Sequence, residues 1–159
     1  MRIVVWVCEG TWPACIDAVA GLAGSSEAEI VLLHVRGEPL PPPRPGSLIG
    51  LGRIGRVEQE TRQLSRQAAE QLLSRAQSRL ARRAETRLES GPAERVVTAA
   101  AAEADCLVVG RDGDVSRLGP RSLGRETRFV IDHAPCPVLL VWPGVVPGPE
   151  SIPPAPHHP

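Results

Sequence analysis

Residues 105–142 read DCLVVGRDGDVSRLGPRSLGRETRFVIDHAPCPVLLVW, and the fold is decided there. Asp105 leads into an apolar run, Cys106-Leu107-Val108-Val109, that stops at Gly110. A loop holding Gly110, Gly113, Gly119 and Gly124 follows, and Arg125 to His133 are then helix-compatible. Pro135 and Pro137 end that helix, and Val138 to Trp142 form a second apolar run. In a strand, glycine loop and helix of this kind, backbone N–H groups can approach an anion and the helix N-terminus adds positive potential. The segment predicts a phosphate cradle.

Working outward, the same strand–helix alternation recurs. Arg2 to Cys8 is a continuous apolar run, as expected of a strand buried on both faces. Glu9-Gly10-Thr11 is a turn, with Thr11 placed to cap a helix that takes Pro13 in its first turn and runs to about Leu22 before Gly24-Ser25-Ser26. Glu29 to Val35 is a second buried strand. Between Gly37 and Gly46 five prolines predict a polyproline excursion rather than pairing. From about Arg53 to Ala84 the spacing of Val57, Leu64, Ala68, Leu72, Ala76 and Leu80 predicts a long helix with one inward face. Thr86-Arg87-Leu88 reads as a short edge strand, and Pro92 opens a helix over 93–104. Strands alternating with helices argue for an α/β fold, a parallel sheet with right-handed crossovers.

The 159 residues suit one domain, 1–143, with a proline-rich tail over 144–159; the stretch from Pro143 to Pro159 carries seven prolines, shows no periodicity and is expected to be disordered. Formal net charge is zero and every one of the 18 basic residues is Arg, which excludes a Walker or Schiff-base lysine. The balanced charge implies neither a nucleic-acid partner nor an anionic membrane surface. The Arg-rich face of the long helix is interleaved with acids and lacks aromatics, so it reads as a solvated face. Met1 to Cys8 is too short for a signal peptide or a membrane span, and a cytoplasmic location is expected. Cys8, Cys15, Cys106 and Cys136 form no CxxC pair and read as free thiols beside strands. No hydrolase triad is visible. His34 and His133 read as structural, His133 serving carbonyls at a helix end. His157-His158 reads as a solvated tail end.

These residues together resemble the universal stress protein family over roughly 1–142. The resemblance rests on Ile3–Val7 before a Gly-Thr turn, Leu32-Leu33-His34-Val35, Gly91-Pro92-Ala93, Asp105 to Gly110, and above all His133-Ala134-Pro135-Cys136-Pro137-Val138-Leu139-Leu140-Val141. It implies an open five-stranded parallel sheet, order 3-2-1-4-5, with helices on both faces. It implies a homodimer, often paired through the last strand, here 138–142, where Trp142 either buries in the interface or packs locally.

Part of that family binds ATP, and the resemblance then implies a site formed by Glu9, Val35, Val109, Gly110, Gly113, Gly124, Arg125 and Glu126, with Mg²⁺ accompanying the phosphates. The motif is Gly, two residues, Gly, nine residues, then Gly-Ser or Gly-Thr. Gly110 and Gly113 match its opening pair. Ten residues separate Gly113 from Gly124, and Arg125 stands where the hydroxyl residue belongs. Arg125 offers its N–H and a permanent charge to a phosphate, or else fills the pocket. Asp112 and Asp114 lie near the phosphate path and would repel it. At the end of the first strand Glu9 stands in for an Asp. On this reading Gly113→Val blocks the pocket and leaves the fold intact. Two functions follow: a stress-response signalling protein binding an adenine nucleotide, with at most slow ATP hydrolysis, or a nucleotide-free dimeric interaction module working through protein partners.

Overall fold

The computed structural model describes residues 1–24, 27–37 and 51–154, with the side chains of 51–56 excepted. The proline stretch 39–45, Ser25-Ser26 and the tail histidines lie outside the described residues. Five strands and four helices alternate: β1 Arg2–Trp6, α1 Trp12–Ala23, β2 Glu29–Arg36, α2 Leu51–Leu80, β3 Glu85–Ser90, α3 Ala93–Ala101, β4 Cys106–Gly110, α4 Arg125–His133 and β5 Val138–Val141. All pairings are parallel and the sheet order is β3-β2-β1-β4-β5, the order that the resemblance implied.

The two-residue period of β1 divides the core. Ile3, Val5 and Val7 pack with Cys15, Ile16 and Val19 of α1 and Leu72, Leu73, Ala76 and Leu80 of α2. Val4 and Trp6 pack with Val97 and Ala101 of α3 and Val130 of α4. Each buried aliphatic side chain contributes about 1.5–3 kcal/mol, so the sheet is held from both faces. β3 is the edge strand expected from its polar residues, but it is longer than Thr86–Leu88. Its Arg87 donates to Glu85 at 2.6 Å, and Arg36 of β2 donates to Ser90 at 2.9 Å.

Three local expectations are corrected. Thr11 does not cap α1 through its side chain; its hydroxyl instead donates to the Cys8 carbonyl at 3.4 Å. The first half of α2 does not bury the predicted stripe: Val57 and Leu64 are 59% and 65% exposed, and burial begins at Ala69. From Pro143 on, composition suggested no element, but the structure holds a 3₁₀ turn at Pro149–Ser151. The hydroxyl of Ser151 accepts from the Leu118 N–H at 3.0 Å, which ties that turn to the glycine loop.

The four cysteines are free thiols. Burial pushes the Cys15 thiol up to about 12 from 9.0. Below pH 9 the thiol is neutral in folded and unfolded chains alike, and its contribution to stability is intact. Between pH 9 and about 12 the unfolded thiol ionises while the folded one does not, so stability falls as pH rises. Cys15→Ala is therefore expected to flatten the alkaline decline by about 1.4 kcal/mol per pH unit. Urea unfolding at pH 8, 9, 10 and 11 measures it; parallel declines in the two proteins would sink the assignment.

Candidate functional site

Strand order reverses between β1 and β4, and in open α/β sheets ligands bind outside the carboxyl ends of the strands at that point. β1 continues through Val7, whose carbonyl accepts from His34 Nδ1 at 2.7 Å. Cys8 follows and packs on the α3/α4 face. β4 ends at Gly110, where a Cβ would lie 2.4 Å from the Cβ of Thr11. Only glycine lets the end of β4 pass so close to the start of α1.

The loop after Gly110 folds back on itself. The Arg111 N–H donates to the Val141 carbonyl at 2.8 Å and extends the β4–β5 ladder. The Arg111 guanidinium lies 4.6 Å above the Trp142 ring and bonds the Ser122 hydroxyl. The Gly113 N–H donates to Ser122 O at 3.0 Å, and the Asp114 N–H to Arg121 O at 2.8 Å. A Cβ on Gly113 would lie 2.4 Å from Arg121 O, against backbone that cannot swing aside. The expectation that valine at 113 leaves the fold intact is thereby corrected.

At the start of α4 the carboxylate of Asp112 accepts two hydrogen bonds, from the Gly124 N–H at 2.7 Å and from the Thr127 hydroxyl at 2.8 Å. A Cβ on Gly124 would meet that carboxylate at 2.7 Å. The glycine of the motif's third position thus gives room to a carboxylate of this chain. Asp112 does more than repel a phosphate: it holds the donors that a phosphate would use. A triphosphate does not fit the donor set as it stands. Asp114, the second acid of concern, is turned inward on its own loop, accepting from the Ser116 N–H at 3.1 Å and pairing with Arg117 at 2.9 Å.

The other residues implied for the site separate into groups. Val35 and Glu126 line one cleft of about 260 Å³ with Gly91, Pro92 and Glu94. Arg125 lines an adjoining hollow of about 600 Å³ between α3 and α4, beside Arg95, Phe129 and His133, and Glu94 and Glu126 line both. Val109 is fully buried in β4. Glu9 points the other way, to α2, where Arg75 donates to it at 3.1 Å. Cys8 is the residue after β1 on the α3/α4 side, and its thiol is pushed up to about 12 by burial first, then by Asp112, Cys15 and Glu126. It is a poor nucleophile at neutral pH. His133 bonds the Phe129 carbonyl through Nδ1 at 2.8 Å and stacks on the Phe129 ring, in the helix-end role its position suggested.

A family model described as the universal stress protein family matches residues 1–141. The chain belongs to that family. A Thermus aquaticus protein described as a universal stress protein in QAH/OAS sulfhydrylase 3′ region is 44% identical over 55 residues, 34% of this chain and 39% of that protein. The match thus spans well under half of that relative's length. A universal stress protein solved in complex with cAMP superposes with a TM-score of 0.59 at 20% identity, covering 91% of this chain and 98% of that one. A universal stress protein family member from Arabidopsis thaliana, solved with AMP bound, gives 0.54 at 18%, covering 96% and 95%. At these identities the likeness establishes the Rossmann-like universal stress protein fold.

Among the described residues no helix is long and apolar enough to cross a membrane. Among them, too, no group of three or more His, Cys, Asp or Glu side chains is placed to hold a metal ion.

Asp112 and Thr127 are the residues that sequence reasoning missed as a pair. The signal was present: a hydroxyl three residues after the glycine that opens α4, and an acid within reach of that helix N-terminus, are both capping chemistry. What could not be read was that a loop of this length returns Asp112 to Gly124.

Proposed function

We propose that this universal stress protein acts in cytoplasmic stress signalling by taking an adenine nucleotide at the carboxyl ends of β1, β2 and β4, and that it works as a homodimer paired through the 138–142 edge. The observation that carries the reading is the cleft between Val35 and Glu126, at the carboxyl end of β2 and the starts of α3 and α4, two residues past Gly124 of the glycine loop. The relatives solved with cAMP and with AMP support an adenine ligand. On this reading the ligand serves as a signal, with at most slow hydrolysis.

Isothermal titration of the full chain with AMP and with ATP·Mg²⁺, after removal of carried-over nucleotide, tests the reading. Micromolar heats from AMP, weaker ones from ATP·Mg²⁺, and a dimer in sedimentation equilibrium are expected. Silence at millimolar concentrations of both would favour the second reading, a nucleotide-free interaction module. The closed glycine loop, with its Gly113, Asp114 and Gly124 N–H groups already bonded within the chain, favours that alternative.

A further inference from the structure

The donors at the start of α4 are already matched by a charge of this chain. The Gly124 N–H and the Thr127 hydroxyl converge on the two oxygens of Asp112, at 2.7 and 2.8 Å. Thr127 is only 2% exposed, so its hydroxyl has this partner and little access to water. Gly113 and Asp114 are clasped to Ser122 and Arg121, and the Arg111 N–H bonds the Val141 carbonyl, so the backbone is fixed on either side of the acid. Arg111, the cation nearest in sequence, is turned away onto Trp142 and Ser122. The carboxylate therefore takes the donors at the start of α4 for itself, and among the described residues no ion pair neutralises it. The neighbouring cleft adds a second acid, Glu126, and its volume of about 260 Å³ falls just short of the range typical for drug-sized ligands.

From these features we infer that Asp112 sets the specificity of the site: it stands in for a ligand phosphate, and the site selects adenine ligands of low phosphate charge, adenosine before ATP. The inference rests on the adenine reading proposed above. A base and ribose meet the cleft at Val35, Pro92 and Glu126. A polyphosphate must either displace Asp112 from two charge-assisted hydrogen bonds or lie beside it as a like charge, and each is unfavourable. Arg125 lines the adjoining α3/α4 hollow, which shares Glu94 and Glu126 with the cleft, so two carboxylates of this chain already stand beside it.

The test compares the wild-type chain with Asp112→Ala and Asp112→Asn. Asn keeps an acceptor for the Gly124 N–H and removes the charge, and so serves if the Ala variant folds poorly. Titration with adenosine and with ATP·Mg²⁺ is expected to show the wild type preferring adenosine. Both variants should gain ATP affinity by about tenfold or more with adenosine affinity little changed. Thermal melts with sodium tripolyphosphate, which carries no base, should show stabilisation of the variants and none of the wild type. A wild type that binds ATP as tightly as adenosine would overturn the inference, as would variants that leave both the ATP:adenosine ratio and the tripolyphosphate melts unmoved. If no protein binds adenosine or ATP while tripolyphosphate still stabilises the variants alone, the adenine reading falls and the anion role of Asp112 stands.

Discussion

Replacing Gly113 by valine is expected to lower the stability of the whole domain by about 3 kcal/mol, with a drop in melting temperature of roughly 6–12 °C. The cause is steric and local. The new Cβ would lie 2.4 Å from the Arg121 carbonyl oxygen and 2.8 Å from the Ser122 carbonyl carbon. These are backbone atoms in a clasp, so relief requires opening the Gly113–Ser122 and Asp114–Arg121 hydrogen bonds. Opening them also removes the support that holds Asp112 against α4. Gly144→Val is the natural control, because a Cβ there meets nothing within 4 Å. Its effect should stay within about 0.5 kcal/mol. Equal melting temperatures for Gly113→Val and wild type would show that the clasp is not formed in solution.

Leu32→Ala is expected to cost about 2–5 kcal/mol. Leu32 is fully buried in β2, in the cluster that joins β1, α1 and α2. Truncation leaves a cavity between a central strand and two helices that cannot both move in to fill it. Urea unfolding should show a lower midpoint with an unchanged slope. Leu64→Ala is the informative partner. Leu64 lies on α2 at 65% exposure, so its truncation should change stability by less than about 0.5 kcal/mol. A loss comparable to that of Leu32 would mean that a second surface covers the outer half of α2 in solution.

Much of the sheet was legible because its strands are buried on both faces. Runs such as Ile30 to Leu33 are apolar at every position, and nothing but a covered parallel strand accounts for them. Helix α4 was legible to the residue, since Gly124 and Pro135 fix its ends in the chemistry of the backbone itself. The inner face of α2 was half legible. Periodicity reports which residues share a face of a helix, but not how far along the helix that face is covered, and Val57 and Leu64 stay exposed.

The site was less open to reading, for a related reason. Glycine spacing located the loop, and Gly110 and Gly113 are glycines for reasons of space that the structure makes explicit. A carboxylate, however, takes whichever donors the folded loop brings to it. For Asp112 those donors are 12 and 15 residues away, and for Glu9 the partner is Arg75, 66 residues away. Spacing rules that serve for local capping do not reach such distances.

The position of β1 in the sheet bears on how the chain is made. β1 lies between β2 and β4, and the Arg2 N–H bonds the Asp105 carboxylate across a separation of 103 residues. During synthesis β1 leaves the ribosome before β4, and one of its edges stays unpaired until β4 appears. At roughly 5–20 residues per second that wait lasts about 5–20 s. Throughout it, the run from Ile3 to Val7 presents an apolar strand edge of the kind to which nascent-chain chaperones and aggregating neighbours both bind. The centre of the finished sheet is thus the segment most in need of protection while the protein is being born.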